Sequence, residues 1–183
     1  AFDFGGQLIR NDLNIHIDGP EAHPSFSGLY LADGKQHIDN HTRVDHKVGP
    51  ARSDQEYRGI LGGAARCVWN GKAGVHEGAD GTDANQANHN LLLSERSEVD
   101  AKPELEIYAD DVKCSHGTTV GQLDENALFY LRTRGVDDAT ARQLLTRAFA
   151  QRIVDNSPLD LLQPVISDLV TQKLEQLVSG DKA

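Results

Sequence analysis

Short runs of alternating apolar and polar residues fill the first two thirds of the chain, and a helical apolar period takes over in the last third. Leu13, Ile15 and Ile17 alternate with Asn14, His16 and Asp18; Val44 and Val48 with Arg43, Asp45 and Lys47; Leu105 and Ile107 with Glu104 and Glu106. Such period-2 runs predict strands with one wet face. Turn clusters such as Asp18-Gly19-Pro20, Ala32-Asp33-Gly34, Gly49-Pro50 and Asn70-Gly71 separate them. Their spacing, roughly ten to twenty residues, is that of a sandwich, a barrel or a β-solenoid. No clean repeated motif shows, so the pattern alone leaves these three open.

The regime changes after Gln122: fifteen of the seventeen glycines and all eight histidines precede it. Residues 1–122 are therefore read as a β core domain and residues 123–183 as a helical appendage. Leu123, Ala127, Leu128 and Leu131 keep helical spacing, with Asp124 and Glu125 at the amino end and Arg132 and Arg134 at the other, as the helix dipole prefers. Gly135 predicts the stop. Asp137 is placed to cap a second helix with the stripe Ala141, Leu144, Leu145, Ala148, Phe149 and the stem of Arg152. Ser157-Pro158 opens a third segment, which Pro164 interrupts. The longer helix then starts at Pro164 and carries Val165, Ile166, Leu169, Val170, Leu174 and Leu177.

Charge narrows the classes of function. With 18 Lys and Arg against 28 Asp and Glu, the net charge is −10, which repels phosphate backbones and anionic lipid in the absence of a basic patch. Nucleic acid is not the expected partner. The longest apolar run, Ala127 to Leu131, is far shorter than the roughly 18 to 20 residues that span a bilayer. Two cysteines, Cys67 and Cys114, make no disulfide framework, so a reducing cytoplasm is the default. No methionine occurs, not even at position 1, and the chain reads as the C-terminal piece of a longer protein.

Cys114 and His116 carry the most specific chemistry. On a strand, positions i and i+2 place thiol and imidazole on one face, where they suit zinc, iron or an iron–sulfur cluster. Two ligands do not complete a tetrahedral site, so the others come from elsewhere or from another chain. The alternative is that Val112, Cys114 and His116 all point into a core. His37 and His41 differ in parity from His46, so a straight strand cannot gather all three. Cys67, between Arg66 and Val68, reads as a packed core thiol. Asp80-Gly81-Thr82-Asp83 lacks the EF-hand spacing and terminal glutamate and reads as a loop. The phosphate-binding, dinucleotide, nucleophile-elbow and zinc-protease signatures are all absent. Asp110-Asp111 offers carboxylates of the kind β-helical polysaccharide enzymes use, but adjacent strand residues face opposite ways and the pair reads as a turn.

The wording from Asn88 onward, Asn88-His89-Asn90-Leu91-Leu92-Leu93, and then Glu98 through Gly117 with its Lys113-Cys114-Ser115-His116-Gly117, resembles the SufB/SufD family of the SUF iron–sulfur cluster assembly machinery. The likeness continues through Thr119 to Glu125 and Leu128 to Gly135, and the Lys-Cys-Ser-His-Gly wording favours the SufD branch over SufB. Thr118 stands where relatives commonly have alanine. The resemblance implies a right-handed parallel β-helix followed by a C-terminal helical domain. It also implies a non-enzymatic scaffold that pairs with a SufB-like paralogue through the β-helix and docks a SufC-like ATPase through the helices. Carried onto this chain, the cluster-assembly candidates are Cys114 and His116, with any metal completed by the partner chain. The docking candidates are Leu128, Tyr130, Leu131, Arg132, Arg134 and Phe149. No cofactor is expected to be bound tightly; iron or a nascent cluster passes through. Alone, the piece is expected to form a homodimer through its free strand edge. Two other readings stay open: a β-helical carbohydrate-active enzyme working through Asp110 or Asp111, and a pure interaction module whose Cys114 and His116 are core residues.

Overall fold

The computed structural model describes residues 1–158 and 160–180; residues 181–183, the end of the predicted helical domain, lie outside the described residues. Nine strands come first: β1 (Phe2–Asp3), β2 (Leu8–Ile17), β3 (Ser25–Ala32), β4 (His37–His46), β5 (Arg52–Leu61), β6 (Arg66–Val75), β7 (Asp83–Leu92), β8 (Glu98–Ile107) and β9 (Lys113–Gly121). Three helices follow: α1 (Glu125–Thr133), α2 (Asp138–Asp155) and α3 (Gln163–Gly180).

The chain shuttles between two parallel sheets, one ordered β1-β3-β5-β7-β9 and the other β2-β4-β6-β8. The result is a β-solenoid of about four turns, followed by the three helices. One turn takes 29 residues from Leu8 to its partner His37 and 32 from Arg66 to Glu98. Of the three architectures that the turn spacing allowed, the solenoid is the one formed. Val48 falls beyond the end of β4, because the chain is already turning toward the cis Gly49-Pro50 bond.

Inside the coils, Tyr30, Ile38, Leu61, Cys67 and Trp69 are fully buried and Tyr57 nearly so. Several of the polar inward residues satisfy one another. Tyr30 donates to Asn90 Oδ1 and accepts from Asn88 Nδ2 at 3.0 Å, Asn90 Nδ2 donates to Asn88 Oδ1 at 2.6 Å, and Thr42 Oγ1 donates to Gln55 at 2.6 Å. These pairings remove the penalty of about 1–3 kcal/mol for each buried polar group left unmet.

A second core lies outside the coils. Leu29, Leu31, Ile60 and Leu91 point outward from the five-stranded sheet and are covered by Ala150, Ile153 and Val154 of α2 and Val170, Leu174 and Leu177 of α3. Burial of about 1.5–3 kcal/mol per large aliphatic side chain holds the helices there. The stripe of α2 differs from the predicted one: Ala141, Thr146, Ala150, Ile153 and Val154 are buried, whereas Leu144 is 48% exposed. Ala141 is common to both stripes and Leu145 and Phe149 are half-buried, while Thr146 fits the apolar face by returning its hydroxyl to Arg142 O at 2.8 Å. In α3 the inner half of the predicted stripe, Val170, Leu174 and Leu177, is buried, and Val165 and Leu169 are exposed. Asp124 and Asp137 cap α1 and α2 through Asn126 N and Thr140 N. Gly135, at φ 86°, follows α1.

Candidate functional site

Strand β9 is the last rung of the five-stranded sheet, paired with β7 on one side only. Its register sets Cys114 beside Ala84, His116 beside Gln86 and Thr118 beside Asn88. All three β7 partners are buried inward residues, so Cys114 and His116 share the inward face, as their spacing on a strand requires. Burial falls away in this last coil: Cys114 is half-buried and His116 exposed. Among the described residues no further coil covers them. His116 therefore faces inward and is accessible to solvent, and Ile107 at 43%, Tyr108 at 63% and Val120 at 50% exposure are also open in this last coil and the turn after β8. Val112 precedes the strand, in the turn.

Two side-chain bonds pin β9 from its outer face. Ser115, between the thiol and the imidazole, donates to Asn85 Oδ1 at 2.6 Å, and Thr119 Oγ1 meets His89 Nδ1 at 2.9 Å. Behind His116, Gln86 crosses the interior, its amide donating to Gly71 O at 3.2 Å and accepting from Ala73 N at 3.1 Å. Burial pushes the Cys114 thiol up, and nearby Asp83 adds to the shift. A thiolate at this position needs an incoming cation to stabilise it. Among the described residues no three His, Cys, Asp or Glu side chains converge as a metal site.

The remaining sequence candidates disperse. His37 and His41 lie on the outer face of β4, half-buried, and His46 lies on the inner face, fully buried, with Nε2 2.8 Å from Ser53 Oγ. Cys67 is buried in the core, its thiol pushed up to about 12 by desolvation. Asp110 and Asp111 sit in the turn before β9, tied to the Asp80 loop by Asp110 N to Asp80 Oδ1 and Gly81 N to Asp111 O, both 3.0 Å.

On the helices, Tyr130, Arg132 and Arg134 are exposed and Leu131 is half-buried. The Arg134 guanidinium lies 5.2 Å from the Tyr130 ring centroid. Leu128 is only 1% exposed. Phe149 is half-buried beneath Arg58, 4.8 Å from the guanidinium carbon to the ring centroid. Sequence reasoning missed Arg58, as well as the inward Gln86, Asn88 and Asn90. The last three alternate visibly along β7, but with polar residues on the face that turned out to be interior.

Comparison with known proteins gives one consistent answer. The family described as SUF system FeS cluster assembly, SufBD core domain, matches residues 1–149. The iron–sulfur cluster assembly protein SufD of Escherichia coli is 37% identical over 155 residues, which span 85% of this chain and 37% of that protein. A SufBD family iron–sulfur cluster assembly protein of Synechocystis is 38% identical over 161 residues, 88% of this chain and 36% of its own length. A chloroplastic protein of Arabidopsis thaliana, ABCI7, is 34% identical over 157 residues, 84% and 33% of the two chains. The chain thus spans less than two fifths of the length of these relatives.

Proposed function

This chain belongs to the SufBD family of the SUF iron–sulfur cluster assembly system, and from that premise we propose that it is a non-catalytic scaffold part whose Cys114 and His116 help build a nascent cluster at the junction with a second β-solenoid. The observation that carries this reading is the position of the two donors. They are inward-facing residues on a coil whose far side is open, so a partner stacked on that side would bury them and add the missing ligands. Iron or the cluster is the cargo, not a resident group.

A SufB-like paralogue is the partner for the open end. An unpaired edge strand invites another strand, and the exposed Ile107 and Val120 supply apolar area next to it. In isolation, two copies of this chain would pair through the same edge. The helices form the docking side for a SufC-like ATPase, with Tyr130, Leu131, Arg132 and Arg134 as its accessible contacts. The setting is the cytoplasm, where thiols stay reduced; no helix among the described residues is long and apolar enough to cross a membrane.

The carbohydrate-enzyme reading requires one carboxyl held protonated beside one ionised. The outer face of the five-stranded sheet has a polar groove of about 530 Å³ containing Asp54 and Glu56. Arg52 holds Asp54 below the usual carboxylate range, and Glu56 is engaged by both Arg58 and Arg152.

The test is to reconstitute the chain, as part of its full-length protein, with a SufB-like partner and a SufC-like ATPase. Cluster formation is followed by visible absorbance, alongside growth of a cluster-deficient strain. His116→Ala is expected to assemble the complex and lose cluster formation; normal formation and growth with this variant would overturn the assignment.

A further inference from the structure

One row of the outer sheet face runs from the helices to the site strand. Leu29 is paired with Arg58, Arg58 with His89, and His89 with Thr119. Arg58 is an unusual residue in this row, a cation with a side chain only 12% exposed. Its Nε donates to Glu56 Oε1 at 3.0 Å, and its Nη1 donates to the Phe149 carbonyl of α2 at 3.0 Å. Arg152, one turn further along α2, donates to the same Glu56 oxygen at 3.1 Å. The aliphatic contacts of Ile153 and Val154 hold α2 down but have no direction, so they tolerate sliding. The bonds of Arg58 do have direction. A guanidinium fork fixed on one carboxylate and one helix carbonyl admits a single setting of the helix along the sheet.

The other end of the row reaches β9. His89 stands beside Arg58 on the neighbouring strand and bonds Thr119, three residues past His116. Burial, with Arg58 as the next cause, holds its imidazole below the ordinary histidine value, which favours a neutral ring that can share a hydrogen with the threonine hydroxyl. Because β9 has a strand neighbour on one side only, this bond and the Ser115–Asn85 bond are its outer-face anchors. Of the two, the His89 bond lies in the row that contains Arg58, which donates to the α2 backbone.

We propose that the Arg58–His89–Thr119 row is a mechanical link that passes a displacement of α2 to the strand bearing Cys114 and His116. Its use, telling the cluster site what is docked on the helices, rests on the function proposed above. The link itself is a property of this chain.

The test therefore needs neither cluster nor ATPase. Hydrogen exchange is measured on the whole chain, with Ile153→Ala as the displacement of α2, in the wild-type background and in Arg58→Met and His89→Ala backgrounds. Ile153→Ala is expected to speed exchange in α2 in every background. In β9, at residues 113–121, it is expected to speed exchange roughly fivefold or more, the lower end of typical intramolecular coupling, only when Arg58 and His89 are both present. Should Ile153→Ala prove too damaging, Ile153→Val supplies a smaller displacement with the same expected pattern. The proposal is overturned if β9 does not respond while α2 loosens, or if the β9 response survives in either background.

Discussion

Tyr57 fills the space that a side chain at Gly28 would need: the two are paired in register on adjacent coils, and a methyl group built on Gly28 would overlap the tyrosine ring. Two residues along, the relation inverts, with the Tyr30 ring over Gly59. Gly28→Ala and Gly59→Ala are each expected to destabilise the fold by about 1–3 kcal/mol or more, the cost of overpacking a filled core. Gly117→Ala, on β9 with nothing within 4 Å of the new methyl, is expected to stay within about 0.5 kcal/mol. Urea unfolding of the three variants measures the contrast.

The same exchange of glycine and tyrosine explains why the solenoid could not be read as a repeat. Volume is conserved between neighbouring coils, not at equivalent positions: one inward row reads Gly28, Tyr57, Asn88, Thr118 and the next Tyr30, Gly59, Asn90, Val120. Alternation also misleads where both faces of a sheet are covered. Leu29, Leu31, Ile60 and Leu91 look like core-facing residues, and they are buried, but under the helices. The Cys114–His116 face was legible because strand geometry fixes it. Arg58 was not, since nothing local marks a surface arginine that a helix 91 residues later will cover.

Acid should weaken the protein through His46. Its Nε2 meets Ser53, its Nδ1 has no partner, and burial lowers its pKa from the ordinary 6.5. The unfolded chain therefore takes up this proton more readily than the folded one. Stability from the neutral ring is complete above pH 6.5 and is lost as pH falls below it. His89, lowered in the same direction, adds to the slope. Urea midpoints between pH 8 and pH 5 are expected to drop for the wild-type chain and to drop less for a His46→Gln variant that unfolds cooperatively.

The two thiols should differ in reactivity. Cys67 is fully buried and shifted to about 12, whereas Cys114 is half-buried with a smaller upward shift. Because the thiolate is the reacting form, native protein at pH 8 is expected to release one equivalent from a thiol reagent, slowly, and two in denaturant. Cys114→Ser should abolish the native signal. Equal fast reaction of both would contradict the packing of the core.

Leu128 and Tyr130 separate the buried side of α1 from the side proposed for docking. Leu128 is 1% exposed and Tyr130 is 57% exposed, with Arg134 stacked on the tyrosine ring. Leu128→Ala opens a cavity and is expected to cost about 2–5 kcal/mol, visible as a lowered melting temperature. Tyr130→Ala and Arg134→Ala remove a surface pair, and their stability is expected to change by no more than about 0.5 kcal/mol. Binding of a SufC-like ATPase, measured by calorimetry well below the melting point, should show the opposite order, weakened by the Tyr130 and Arg134 variants and retained by the Leu128 variant while it stays folded. If Leu128→Ala alone lost binding at a temperature where its α1 amides remained protected from exchange, the contact surface would have to include the far side of α1, and Tyr130 would no longer mark its centre.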